Sequence, residues 1–103
     1  MFKRSFAILL IVLTNACNNE PDAPLPTANF YVDNAACNSG CYVYFYDQSS
    51  HAVAWEWDFG NGIFSTYQND SVFYNDPGLY EVTLTVWNAD QIEDAVSKTI
   101  TIN

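Results

Sequence analysis

Trp55-Glu56-Trp57-Asp58-Phe59-Gly60-Asn61-Gly62, read together with Asp76-Pro77-Gly78-Leu79-Tyr80-Glu81-Val82-Thr83-Leu84-Thr85-Val86, decides the fold. The first run alternates aromatic and acidic residues and ends in a Gly-Asn-Gly turn. Successive side chains of a strand point to opposite faces, so an alternation of period two marks a strand with one buried face. Trp55, Trp57 and Phe59 are expected inward, and Glu56 and Asp58 toward water. The second run enters a long alternating strand through a Pro-Gly corner. Two such strands describe the middle of a layered β structure.

The same period continues on both sides. It predicts strands over 28–33, 42–46, 54–59, 63–65, 71–74, 80–88 and 95–102, with turn residues between them. About seven short strands at this spacing read as an all-β, antiparallel β-sandwich. No stretch sustains a helical period, and no internal repeat is visible, so one module is expected. Asp76-x-Gly78-x-Tyr80 matches a tyrosine corner, in which the phenol bonds back to upstream backbone. No cysteine lies in the middle of the strands at 42–46 or 80–88. The layers must then be joined by packing alone, with Trp57 as the plug against Phe45, Val82 and Leu84.

Trp57-Asp58-Phe59-Gly60-Asn61-Gly62 resembles the Trp-Asp-Phe-Gly-(Asp/Asn)-Gly hallmark of the PKD domain, the polycystic kidney disease repeat. Val43-Tyr44-Phe45-Tyr46-Asp47-Gln48-Ser49 is similar to that family's second strand, with Phe45, Asp47 and Ser49 at the recognisable positions. The resemblance spans about residues 28–102. It implies an immunoglobulin-like sandwich that binds or spaces and does not catalyse. It also implies a structural role for Trp57, Asp58, Phe59, Gly60, Gly62, Asp76, Gly78 and Tyr80. Ser49-Ser50-His51-Ala52-Val53 lacks the Asp-x-Asp-Gly pattern of calcium-binding members. Calcium needs six to eight oxygens, so no metal and no cofactor is expected.

The amino terminus reads as an address. Lys3 and Arg4 precede an apolar run from Phe6 to Leu13, followed by Thr14-Asn15-Ala16-Cys17. A membrane-spanning helix needs about 20 apolar residues; this run has the length of a secretory signal's apolar region. Ala16-Cys17 resembles the lipobox of bacterial lipoproteins, in which the cysteine becomes the acylated first residue. The expected organisation is a signal peptide at 1–16, a lipidated Cys17 with a Pro-rich linker at 17–27, and a sandwich at 28–103. The resemblance implies a membrane partner through the lipid and a cell-envelope location, with the outer membrane favoured by the acids after Cys17.

Net charge is −9 over the 103 residues, and beyond Cys17 only Lys98 stands against all twelve acids. Such a surface repels phosphate, which excludes nucleic acid as a partner. With Cys17 lipidated, Cys37 and Cys41 remain as a pair around Asn38-Ser39-Gly40. An exported chain is oxidised, so a disulfide is expected. Two cysteines and the single His51 do not complete a tetrahedral zinc shell.

Catalysis is the weakest reading. His51, Ser49, Ser50 and Asp47 are close in sequence, but triads are assembled from distant segments. Glu56 and Asp58 share a face and so form a candidate acid/base or cation pair, although plain alternation already accounts for them. Asn69-Asp70-Ser71 fits the N-linked sequon, and Asp70-Ser71-Val72 resembles a bacterial O-glycosylation motif.

Parity singles out one surface. If Val43 and Phe45 face the core, Tyr42, Tyr44 and Tyr46 face outward in a row. Tyr31 and Phe73 have the same parity on neighbouring strands, and Trp87 points outward on the opposite layer. Aromatic clusters at a surface mark interaction sites, and tyrosine adds a hydroxyl to a flat apolar ring. The expectation is therefore a non-catalytic envelope lipoprotein. Its face of Tyr31, Tyr42, Tyr44, Tyr46 and Phe73 would bind a glycan or an envelope protein. A structural spacer or assembly subunit is the alternative, and a small hydrolase ranks last.

Overall fold

The computed structural model describes residues 22–103. The signal-peptide reading of 1–16, the lipidation of Cys17 and the tether up to residue 21 lie outside the described residues. Seven strands form in chain order: β1 (Phe30–Asp33), β2 (Cys41–Asp47), β3 (Ala54–Asp58), β4 (Phe64–Ser65), β5 (Asp70–Tyr74), β6 (Gly78–Trp87) and β7 (Glu93–Ile102). They build two antiparallel sheets, β1-β2-β5 and β4-β3-β6-β7. There is no helix among the described residues. The chain is an immunoglobulin-like sandwich, and each observed strand overlaps one predicted from the period of two.

The alternation explains the core. Phe30, Val43, Phe45, Val72 and Tyr74 come from the inner face of the three-stranded sheet. Trp57, Val82, Leu84, Val86, Ile100 and Ile102 come from the other sheet, with Phe59 just past β3. Trp57 is fully buried. Its ring lies 5.1 Å from Phe30, 5.6 Å from Phe45 and 5.6 Å from Phe59, centroid to centroid. Aromatic pairs at such spacing add to the area they bury. Trp55 is only half-buried, and its indole N–H has no hydrogen-bond partner among the described residues.

Polar groups close the open sides of the sandwich. Lys98 lies on the edge strand β7, with the same parity as the buried Ile100 and Ile102. Its Nζ donates to the Phe30 carbonyl and sits 4.7 Å from the centre of the Phe30 ring. An inward-pointing charge on an edge strand also blocks pairing with another chain. Asp94, on the same strand, accepts the Ala28 amide at 2.8 Å. Asn88 is a buried polar residue and organises the β6–β7 connection. Its Oδ1 accepts the amides of Asp90 (3.0 Å) and Ile92 (2.9 Å), and its Nδ2 donates to the Pro24 carbonyl at 3.0 Å. Residues 23–27, which composition places in the tether, thus lie against the sandwich. Thr27 and Ser50 also exchange two backbone hydrogen bonds, of 3.1 and 2.9 Å.

Tyr74 is fully buried, and its hydroxyl donates to the Phe59 carbonyl at 2.7 Å. Burial, with Tyr80 and Asp58 adding to it, raises its pKa well above the usual tyrosine value. The unfolded chain therefore loses this proton first. The contribution of the neutral phenol is fully present below about pH 10, the ordinary tyrosine value, and is lost as pH rises from there through the folded value. Over that window the loss approaches about 1.4 kcal/mol per pH unit. Tyr74→Phe should remove this alkaline dependence while costing about 1–2 kcal/mol at neutral pH, because the Phe59 carbonyl loses its donor. Urea midpoints at pH 7 and at alkaline pH check this; an equal alkaline loss in both proteins would refute it.

Candidate functional site

The glycine turn after β3 is the local structure that the Trp-Asp-Phe-Gly run encodes. Trp57 donates its indole N–H to the Tyr67 carbonyl at 2.9 Å. Asp58 accepts the Gly60 amide at 3.0 Å, and Asn61 accepts the Ile63 amide at 3.2 Å. Each is a short side chain capping the backbone two residues ahead, which is how Asp and Asn set turns. Phe59 fills the core while its carbonyl takes the Tyr74 hydroxyl. Gly60 has φ +80° and packs directly on the β6 backbone at Glu81. At the start of β6, the Tyr80 hydroxyl donates to the Asp76 carbonyl at 2.8 Å, which closes the tyrosine corner around Gly78. Trp57, Asp58, Phe59, Gly60 and Tyr80 thus make contacts that hold the turn and the corner together.

The outer face of β1-β2-β5 carries the aromatics that parity singled out. Tyr31, Tyr42, Tyr44, Tyr46 and Phe73 are each 42–52% exposed. Register brings them together: Tyr31 is opposite Tyr46, and Tyr42 opposite Phe73. The Tyr31 and Tyr46 rings stack at 6.3 Å, and the Tyr42 and Phe73 rings meet edge to face at 5.1 Å. Tyr44, between the two pairs, faces Asp33 on one side and Ser71 on the other. Alternate residues of a strand are about 6.8 Å apart, so the tyrosines of β2 extend over roughly 14 Å. Among the described residues no lysine or arginine lies on this face. Trp87, on the other sheet, is half-buried and paired with Ala54 and Glu93.

Of the residues weighed for catalysis, Asp47, Ser49 and Asp58 are engaged in local hydrogen bonds. Asp47 accepts the Ser49 amide at 2.9 Å and the Gln68 side chain at 3.0 Å. The Ser49 hydroxyl is engaged with the backbone of Asn29. His51 is exposed, with φ +59°, in the turn that follows. Glu56 is exposed, whereas Asp58 is bound into the glycine turn. Among the described residues no group of three or more His, Cys, Asp or Glu is placed to hold a metal ion. Cys37 and Cys41 form a disulfide. Its loop holds the carboxyl end of the chain: Asn103 donates to the Cys37 carbonyl at 2.8 Å and accepts the Ser39 amide at 3.2 Å.

A cleft of about 400 Å³ lies where the chain crosses from β4 to β5, lined by Glu56, Phe64, Ser65, Thr66, Tyr67 and Asp70. Sequence reasoning did not find it, because residues 66–69 have no period. Its one signal was Tyr67 in a stretch with no apolar neighbour of matching parity. The crossing is firmly held. Tyr67 takes the Trp57 indole through its carbonyl, the Tyr67 amide donates to the Ser65 hydroxyl, and Asn69 accepts the Asp47 amide.

These features define a class: a small antiparallel sandwich closed by a tyrosine corner, with a glycine turn locked on the facing strand. The PKD domain family model matches residues 23–103, and the chain belongs to that family. Solved structures share the fold. The PKD1 domain of Vibrio anguillarum Epp superposes with a TM-score of 0.69 at 28% identity, over 80% of this chain and 98% of that one. The PKD1 domain of the Vibrio cholerae metalloprotease PrtV gives 0.68 at 32% identity, over 78% and 99%. A carbohydrate-binding module of the β-sandwich superfamily gives 0.74 at 24% identity. This chain spans about a third of that one, 36%, and the likeness shows the fold alone. No curated protein matches in sequence.

Proposed function

We propose that this PKD domain is a non-catalytic binding module whose tyrosine face takes a neutral polysaccharide, carried on a lipid-anchored protein of the cell envelope. One observation carries the reading: five aromatic side chains share the outer face of β1-β2-β5, each about half exposed. A platform of rings with hydroxyls at their edges suits a ligand with apolar C–H faces and polar rims. Asp33 shares the face and, among the described residues, no lysine or arginine does, so an acidic polymer is disfavoured. The row along β2 suits a ligand running with the strand. Sheet stability explains the two ring pairs. It does not explain Tyr44, which has polar neighbours across both strand pairings.

Affinity electrophoresis in neutral and acidic polysaccharides tests the site. Tyr44→Ser should weaken retention at least roughly tenfold, the cost of losing one well-stacked ring. The triple substitution Tyr42/Tyr44/Tyr46→Ser should abolish it, with folding checked by circular dichroism. Retention that persists in a folded triple variant rules the face out. Labelling with a fatty-acid probe, lost on Cys17→Ser, tests the anchor separately.

A further inference from the structure

We propose that the cleft at the β4–β5 crossing is a second binding site, independent of the tyrosine face, and that it takes an arginine side chain of a partner protein. Its walls combine two kinds of group. Phe64 and Tyr67 are 61% and 72% exposed. Glu56 and Asp70 supply carboxylates from the two different sheets. Ser65 and Thr66 add hydroxyls to the lining.

The exposure of the rings is not a loose end of the fold. The backbone beneath Tyr67 is fixed by the buried Trp57 indole and by the Ser65 hydroxyl. Gln68 and Asn69 tie the next two residues to Asp47. Phe64 and Tyr67 line the cleft together, and an exposed apolar patch rimmed by polar groups marks an interaction site.

The chemistry selects the occupant. A guanidinium forks onto carboxylates and stacks on aromatic faces, and its methylene stem covers apolar surface. An ammonium offers the charge but neither the planar stack nor the fork. Anions are repelled by Glu56 and Asp70. Charge complementarity extends beyond the cleft. Lys98 is the only lysine or arginine between residues 22 and 103, and it is engaged with Phe30 on the far side of the fold. The field around the domain therefore draws cations. One carboxylate oxygen of Asp70 accepts the Ser71 amide at 2.8 Å, which leaves the other oxygen for a ligand.

The test is an NMR titration of the purified protein with three capped peptides, Gly-Arg-Gly, Gly-Lys-Gly and Gly-citrulline-Gly. Citrulline keeps the shape of arginine without its charge. The arginine peptide should give saturable shifts at the amides of 64–70, weaken with added salt, and bind more tightly than the lysine peptide. The citrulline peptide should give none. Glu56→Gln and Tyr67→Ala, both at exposed positions, should each lower the arginine affinity by roughly five- to tenfold, as expected for one charge-assisted or cation–π contact. Citrulline binding equal to arginine, or full affinity in Glu56→Gln, overturns the proposal. So do shifts confined to the tyrosine face. A neutral oligosaccharide that shifts 64–70 in place of the arginine peptide overturns it as well, and leaves the tyrosine-face reading standing or falling on its own test.

Discussion

Trp57→Ala should leave the domain largely unfolded at ordinary temperature. The side chain is fully buried and contacts rings from both layers. Truncating such a residue costs about 3–5 kcal/mol in transfer and cavity terms. The Tyr67 carbonyl also loses its donor, which adds about 1 kcal/mol or more where water does not replace it. A domain of this size holds a total stability near the low end of about 5–15 kcal/mol. The local disulfide between Cys37 and Cys41 closes only a five-residue loop and restrains the unfolded chain little. Trp57→Phe separates the two costs: it keeps an aromatic plug but frees the crossing loop at Tyr67. It should melt between wild type and Trp57→Ala, with faster amide exchange at 66–69. Thermal melts followed by circular dichroism decide the matter; a Trp57→Ala protein that melts within a few degrees of wild type would show that the core does not turn on this ring.

The two predictions of buried and exposed aromatics came from one property of strands. Parity along Tyr42-Val43-Tyr44-Phe45-Tyr46 is sufficient to put Val43 and Phe45 in the core and the tyrosines outside. The same argument placed Trp57, Val82 and Leu84. Turn chemistry is equally local, so the Gly60-Asn61-Gly62 turn and the Tyr80 corner follow from spacing, whereas the structural role of Asp58 rested on the family resemblance. What escaped is contact between residues far apart in sequence. Asn88 reads as the last residue of the strand predicted over 80–88 until Pro24 arrives across 64 positions to take its amide. Ala28 finds Asp94, and Phe30 finds Lys98, in the same way. Composition therefore put 23–27 in a tether, since three prolines between 18 and 27 say nothing of a distant acceptor. The crossing cleft escaped for a related reason. Glu56 and Asp70 come from opposite sheets, and no local pattern states that their strands' edges converge. Trp55 had inward parity but sits near the end of β3, where the facing layer covers it only in part.

Gly60→Ala should destabilise the fold far more than Gly62→Ala, although both glycines have positive φ, +80° and +89°. A left-handed residue other than glycine costs about 1–2 kcal/mol in either place. At Gly62 a new Cβ meets nothing within 4 Å, so that conformational cost is the whole effect. At Gly60 the Cβ would lie 2.5 Å from the Glu81 carbonyl oxygen and 3.1 Å from the Glu81 nitrogen. Those are backbone atoms of β6, and no rotamer moves them aside. Relief requires the turn to lift from β6. That pulls on the Asp58 cap and on the Phe59 carbonyl that holds the buried Tyr74 hydroxyl. Adding the overpacking range brings the expected loss to roughly 2–5 kcal/mol. The difference between the two variants in urea unfolding isolates the contact from the dihedral. Equal losses would mean that the glycine of the Trp-Asp-Phe-Gly run serves its φ angle alone. A large gap would mean that this glycine is fixed by strand β6 pressing against it, which ties the turn to the sheet that carries it.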